Sequence, residues 1–228
     1  DVPLPAMGPS DVLVRVHASS VTSGDARLRA MRAPAGFGAP MRLAFGVTRP
    51  RKPIPGMEFA GIVAATGPRV TRFREGQRVF GIAMRGANAK FVSVREASPI
   101  ALVPAGLSFA EAAALPFGAQ AALVFLRDAA RLQPGERVLV VGAAGNVGVF
   151  AVQFAKRMGA QVTGLCRAIH APVMRGLGAD AVLERREGPL SVPGAAFDVV
   201  LDAAGVTRFA DLRRALSPGG RHVLAVFG

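Results

Sequence analysis

The sequence predicts an α/β protein of two domains, a front domain of antiparallel β structure over 1–111 and a rear domain on a parallel sheet over 112–228. Two observations carry this. Up to about Ser108 the chain holds short apolar runs broken by Gly, Pro and Asn, the texture of irregular antiparallel strands. Beyond it, strand-like and helix-like stretches alternate, which calls for parallel strands joined by right-handed crossovers.

In the front part, 11–18 (Asp-Val-Leu-Val-Arg-Val-His-Ala) alternate apolar and polar with the period of a half-buried strand. Gly61 to Ala65, Arg78 to Ile82 and Lys90 to Val94 read as further strands, and Asp25 as the N-cap of a helix over Ala26 to Met31. Ser108-Phe-Ala-Glu111 has the spacing of a capping box opening an alanine-rich helix. Val138 to Val141 is a run of valines and leucine fit for a strand buried on both faces, followed by a helix over Val147 to Met158 with Gly159 as its stop. Strands are expected at Gln161 to Leu165, Ala181 to Leu183, Asp198 to Asp202 and His222 to Val226, and helices at Ala171 to Leu177 and Arg208 to Leu216.

The most informative segment is Gly142-Ala143-Ala144-Gly145-Asn146-Val147-Gly148, which follows a predicted strand and opens a predicted helix. Gly142 makes a sharp turn, Gly145 lets backbone approach a pyrophosphate, and Gly148 permits close packing of helix on strand, with the helix N-terminus facing the anion. Because the flanking strand, the helix and the second strand are all present, the pattern reads as a Rossmann dinucleotide fingerprint. The end of the second strand then selects the dinucleotide. A ribose 2′-hydroxyl calls for a carboxylate there, and a 2′-phosphate calls for its absence and a cation. The chain reads Gly164-Leu165-Cys166-Arg167, so the cofactor expected is NADPH, with Arg167 on the phosphate and Arg185 and Arg186 within reach of it.

Several segments together resemble the zinc-independent quinone oxidoreductase-like branch of the medium-chain dehydrogenase/reductase superfamily. They are 11–18, Val21-Thr-Ser-Gly-Asp25, Pro55-Gly-Met-Glu-Phe-Ala-Gly-Ile-Val63, Val70 to Gly81, Ala112 to Phe117, Gln133 to Val140, the glycine loop, Gly176-Leu-Gly-Ala-Asp180 and Ser217-Pro-Gly-Gly-Arg221. The resemblance implies a GroES-like antiparallel β-barrel catalytic domain in front, a Rossmann domain behind and an active site in the cleft between them. It also implies that Pro116, Phe117 and Gln120 line a nicotinamide pocket and that Thr22 and Asn88 position substrate. Family members continue past the equivalent of Gly228, and the chain opens on Asp1 without a start Met, so it is expected to be part of a longer protein.

Metal dependence is argued from residue types. Zinc-dependent relatives place His before the Glu of Gly-x-Glu and add cysteines, whereas here Met57 precedes Glu58 and Cys166 is the only cysteine. His17, His170 and His222 stand apart in sequence and read as structural. The expected reaction is hydride transfer from NADPH to a quinone or an α,β-unsaturated carbonyl, through positioning of the two reactants. Alternatives are an NADP-dependent alcohol or aldehyde oxidoreductase and a non-catalytic NADPH-binding protein with weak nucleic-acid affinity. The chain contains no Tyr, which excludes a tyrosine acid from within it.

Composition narrows the partners. A formal charge of +13 attracts anions, but the arginines are scattered and Tyr and Trp are absent as stacking platforms, so a nucleic-acid role is disfavoured. No apolar run approaches the ~20 residues of a membrane helix. One cysteine permits no internal disulfide, and a reducing cytoplasm is the expected compartment, with a homodimer allowed.

Overall fold

The computed structural model describes residues 2–30, 54–83, 86–186, 192, 197–205 and 209–225. The chain divides into two compact units, Asp1–Phe117 and Gly118–Gly228.

The first unit is built on strands β1 (Asp11–Ser19), β2 (Glu58–Thr66), β3 (Arg78–Ile82), β4 (Phe91–Arg95) and β5 (Ile100–Leu102), all antiparallel, in the order β4-β1-β2-β3-β5. Alternation decides which face is inside. Val12 and Val14 of β1, Val63 of β2, Val79 of β3 and Val92 and Val94 of β4 point into one core with Phe59, Phe73 and Ile100. Register shifts in the β1–β2 pairing fall between Leu13 and Val14 and between Val16 and Ala18. A side chain on Gly61 would put its Cβ 2.1 Å from the Arg15 carbonyl oxygen, so Gly is required at that crossing of β2 over β1.

Helix α1 (Ser23–Arg29) follows β1. Asp25 is not its N-cap. The cap is Thr22, whose hydroxyl accepts from the Asp25 N–H at 3.2 Å while the Asp25 carboxylate accepts from the Thr22 N–H at 2.9 Å, a capping box shifted three residues upstream of the expected one. The Met31 end of the expected helix lies outside the described residues. Helix α2 (Phe109–Ala113) carries the expected box. The Ser108 hydroxyl accepts from the Glu111 N–H, and the Glu111 carboxylate accepts from the Ser108 hydroxyl at 2.7 Å and the Ser108 N–H at 2.8 Å, two bonds that hold the Glu111 carboxyl below its ordinary pKa. Phe109 anchors α2 on the sheet, stacking on His17 at 4.6 Å and lying under the Arg78 guanidinium.

The alanine-rich stretch after Ser108 is not one helix. It breaks at Ala114 and Leu115 and resumes as α3 (Pro116–Val124), which passes into a π-helical turn over Phe125–Ala129. Pro116 is the reason: it fixes its own φ and disfavours helical backbone at the residue before it.

The second unit is a parallel sheet of β6 (Arg137–Val141), β7 (Gln161–Cys166), β8 (Ala181–Glu184), β9 (Phe197–Asp202) and β10 (Leu216–Leu224), in the order β10-β9-β6-β7-β8. Its helices are α4 (Asn146–Arg157), α5 (Ala171–Gly176) and α6 (Phe209–Leu212). Val138, Leu139, Val140 and Val141 are each at most 1% exposed, so β6 is buried on both faces as its composition predicts. Val138 and Val140 pack with α4, and Leu139 and Val141 with Leu212 and Ala215. Gly159 (φ +84°) ends α4 in a Schellman motif. Its N–H bonds the Lys156 carbonyl and that of Ala160 bonds Ala155, and Gly178 ends α5 in the same way.

The tail of the chain departs from expectation. Helix α6 ends at Leu212, and Leu216, expected to close a helix from Arg208, instead opens β10 opposite Phe197. The stretch Arg208 to Leu216 is locally helical in composition, but pairing with β9 captures its end. Val226, expected to end the strand from His222, lies outside the described residues, as does Arg208.

Asp198 on β9 holds the foot of the sheet. Its carboxylate accepts from the Arg137 guanidinium, from the Arg137 backbone N–H at 2.9 Å and from the Ser217 hydroxyl, which hold it well below the ordinary carboxylate range. A depressed folded-state pKa contributes stability above the unfolded value of about 4, and that stability is lost as pH falls through this value toward the folded one. Replacing Asp198 with Asn is expected to cost about 1 kcal/mol, or ~2–4 °C in Tm, at neutral pH, and to flatten the decline of Tm below about pH 4. Thermal melts of both proteins across that range check it, and parallel acid limbs would contradict the assignment.

Candidate functional site

The chain leaves β6 at Val141 and must turn at once to enter α4. Gly142 takes φ +73°, a conformation L side chains rarely adopt, and the Gly145 N–H closes the turn on the Gly142 carbonyl at 2.9 Å. The Gly142 and Ala143 N–H groups both reach the Leu165 carbonyl, tying the turn to the end of β7.

The other glycines do different work. A Cβ on Gly148 would lie 2.2 Å from the Gly142 oxygen and 2.6 Å from the Ala143 oxygen, so α4 packs on the turn at backbone distance. A Cβ on Gly145 would meet only the Gly142 oxygen, at 3.2 Å, and Gly145 has an ordinary extended backbone (φ −81°). Fold packing therefore demands Gly148 and does not demand Gly145, whose missing side chain clears space at the head of α4. That helix end has no side-chain cap, so its leading N–H groups point to whatever occupies the space.

That space is a cavity of about 300 Å³ lined by Val141, Gly142, Ala144 and Gly145, by Leu165, Cys166 and Arg167 at the end of β7, and by His170, Arg185 and Ala204. It sits where strand order reverses: β7 and β8 lie to one side of β6, and β9 and β10 to the other. In an open parallel sheet this switch point at the carboxyl ends of the strands is where ligands bind. The lining is basic, with Arg167 after β7 and Arg185 after β8. The Arg185 N–H bonds the Cys166 carbonyl, which brings the two strand ends side by side. Burial in this wall raises the Cys166 thiol above its ordinary pKa.

The expected site residues separate in space. Gly142, Ala144, Gly145, Cys166, Arg167 and Arg185 line the cavity. Ala143, Val147 and Gly148 lie beneath it, Ala143 fully buried with its Cβ 3.2 Å from where one on Gly164 would stand. Asn146 lies at the head of α4, its Oδ1 close against the Cα of Gly118. Arg186 does not join the others: its guanidinium pairs with Glu184 at 3.1 Å, because successive residues leaving a strand point to opposite sides. Gln120 is exposed on α3 and, like Pro116, is not part of the lining. His170, read from sequence as structural, lines the cavity. The available signal was its place three residues after Arg167, which a single 3₁₀ turn brings back over the strand end.

Thr22 and Asn88 belong to the first unit. The Thr22 hydroxyl donates to Asp25 at 2.8 Å, and Asp25, 4% exposed, also accepts from the Gly56 N–H at 3.0 Å. Asn88 packs on Gly56, where a Cβ would lie 2.4 Å from its Oδ1, and that buried oxygen has no hydrogen-bond partner among the described residues. Glu58, fully buried, accepts from the Ser20 hydroxyl and, at 2.8 Å, from the Phe117 N–H in the first turn of α3. Two buried carboxylates thus organise this region through backbone amides, a role their sequence context did not reveal. Among the described residues no group of three His, Cys, Asp or Glu side chains stands together as a metal-ligand set, and no helix is long and apolar enough to cross a membrane.

An antiparallel β unit followed by a parallel sheet with a glycine turn at its switch point defines a two-unit α/β protein. Residues 8–129 match the family described as alcohol dehydrogenase GroES-like domain, and the chain belongs to it. Its likeness to quinone oxidoreductases, expected from the motifs, is borne out. The chloroplastic quinone-oxidoreductase homolog of Spinacia oleracea is 36% identical over 193 residues, 77% of this chain and 58% of that protein. The pikromycin polyketide synthase component PikAII of Streptomyces venezuelae is 40% identical over 177 residues, 74% of this chain. The crystal structure of an alcohol dehydrogenase superfamily protein from Novosphingobium aromaticivorans superposes with a TM-score of 0.82 at 30% identity, covering 98% of this chain and 67% of that one. The chain spans 5% of the polyketide synthase component and 58% of the spinach protein.

The glycines' separate roles are testable by substitution. Gly148→Ala is expected to destabilise the fold by about 2 kcal/mol or more, because backbone must move to admit the methyl group. Gly145→Ala is expected to change stability by less than about 1 kcal/mol while weakening dinucleotide binding roughly tenfold or more, through displaced pyrophosphate. Tm together with a dinucleotide titration of each variant checks both, and equal stability losses would remove the distinction.

Proposed function

We propose that this chain belongs to an NADPH-dependent oxidoreductase that transfers hydride to a quinone or an α,β-unsaturated carbonyl. The observation that carries the cofactor assignment is the cavity at the switch point. It has the uncapped head of α4 and a side-chain-free Gly145 on one wall, Arg167 and Arg185 on another, and no carboxylate among the described residues that line it. The first wall suits a pyrophosphate, since backbone N–H groups and the helix dipole favour negative charge there. The second suits a 2′-phosphate, since guanidinium groups offer planar paired donors and none of the described lining residues is acidic.

When bound, NADPH supplies a hydride from its nicotinamide ring to an electron-poor carbon. The chain's part is to bind and orient. Gly142 and Gly145 shape the turn, α4 presents its N–H groups, and Arg167 and Arg185 anchor the adenosine end. The likeness to the spinach quinone-oxidoreductase homolog supports the acceptor class. Zinc is proposed to be unnecessary, because Met57 stands before Glu58 and the single thiol, Cys166, is built into the wall of the cofactor cavity.

Measuring NADPH oxidation by the purified protein against a panel of quinones, enones and aldehydes, with and without a strong chelator, tests the reaction. Turnover with quinones or enones that survives chelation is expected, and consumption with aldehydes alone or activity abolished by chelation would overturn the reading. For the cofactor, Arg167→Ala is expected to weaken NADPH by about 1–3 kcal/mol, the scale of a lost charge-assisted hydrogen bond, and to leave NADH nearly unchanged. Equal losses for both dinucleotides would remove Arg167 from the phosphate site.

A further inference from the structure

Two of the three basic residues on the cavity wall are always charged, and the third is not. His170 closes the 3₁₀ turn Ala168–His170 that begins at Arg167, with its N–H on the Arg167 carbonyl at 3.0 Å. The turn folds the chain back so that His170 and Arg167 line the same space, with Arg185 entering from the end of β8. Among the described residues the imidazole makes no hydrogen bond or ion pair, and it is partly exposed, so it can receive both solvent protons and a ligand.

We propose that His170 is a proton-dependent specificity determinant, a third donor to the 2′-phosphate that strengthens the preference for NADPH over NADH as pH falls. The proposal rests on the cofactor reading above. Histidine is the side chain whose ordinary ionisation lies between pH 5 and 8. Among the described residues, the titratable and charged groups that line the cavity with it are Cys166 at the end of β7, Arg167 in its own turn and Arg185 after β8, while the glycine turn and the segment after β9 contribute Val141, Gly142, Ala144, Gly145 and Ala204. Glu184, the nearest acidic neighbour in sequence to Arg185, is bonded to Arg186. Among the described residues no lining carboxylate pairs with the imidazole, and a phosphate bound there would stand among two guanidiniums and the ring. Proton uptake and phosphate binding are thereby linked, and each favours the other.

The sign follows. A charged imidazolium adds a charge-assisted bond to the phosphate, and a neutral ring contributes little. The phosphate's own second ionisation, near pH 6, weakens binding in acid for any variant, so the informative quantity is the ratio of wild type to a variant at the same pH.

The experiment is calorimetric titration of NADPH and of NADH into the whole chain as wild type, His170→Gln and His170→Lys, at about pH 6 and about pH 8.5. Wild type is expected to bind NADPH about 5- to 10-fold tighter than His170→Gln at the lower pH and within about twofold at the higher, with NADH alike in both proteins throughout. His170→Lys should bind NADPH at least as tightly as wild type at both values, which shows that charge rather than ring shape is read. A ratio of wild type to His170→Gln that does not change with pH overturns the proposal, as does an equal loss of NADPH and NADH in His170→Gln. Wild type that prefers NADH or neither dinucleotide at both pH values overturns instead the 2′-phosphate reading on which the proposal stands.

Discussion

Backbone packs on backbone where α4 meets the turn that precedes it. Gly148 lies so near the carbonyl oxygens of Gly142 and Ala143 that a single methyl group would overlap them. From this contact the rest of the site follows. The axis of α4 is aimed at the end of β6, its head is held over the switch point, and the turn is fastened to β7 through the Leu165 carbonyl. The Cβ of Ala204, beyond β9, stands 2.7 Å from where one on Gly142 would be, so the other half of the sheet closes on the same residue. A cavity with an exposed helix head is the geometric remainder of that packing.

Charge is arranged by pairing as much as by abundance. Most of the described acidic groups are engaged. Glu136 takes Arg221, Asp180 takes Lys156 and the Val162 N–H, Asp198 takes Arg137, and Glu184 takes Arg186. The Asp202 carboxylate, fully buried at the end of β9, accepts the N–H groups of Ala204 and Gly205, so a negative charge close to the switch point is directed into a turn. Arg167 keeps no such partner among the described residues. An excess of positive charge over the whole chain is a weak indicator of ligand, but two guanidiniums and an imidazole converging on one cavity form a local field that scattered surface arginines do not produce.

The first unit applies a different device. Burying a carboxylate is costly unless each oxygen is satisfied, and here Asp25 and Glu58 each pair one oxygen with a backbone N–H distant in the chain and the other with Thr22 or the Ser20 hydroxyl. Asp25 joins the head of α1 to the Gly56 segment, and Glu58 joins β2 to the first turn of α3. In both cases the negative charge sits at a helix N-terminus, where the peptide dipoles favour it. These carboxylates act as staples between segments 31 and 59 residues apart, and Asn88 is packed over the same Gly56.

Much of this was legible in the sequence because local rules decide it. Alternation in 11–18 marks β1, the unbroken Val138 to Val141 run marks a strand covered on both sides, Ser108 and Glu111 mark a cap, and glycine spacing after a strand marks the tight turn from β6 into α4. Each depends on residues within one element, so their order along the chain suffices. What only the tertiary structure decided depends on partners distant in sequence. Leu216 is a strand residue because β9 offers a neighbour, although its local composition is helical. Asp25 is a staple because Gly56 is folded against it. Arg185 stands beside Arg167 while Arg186 turns away to Glu184, and His170 returns over the end of β7. A strand alternates its faces and a 3₁₀ turn reverses the chain in three residues, so which basic side chains share a cavity is fixed by register and turn geometry, and composition carries no record of either.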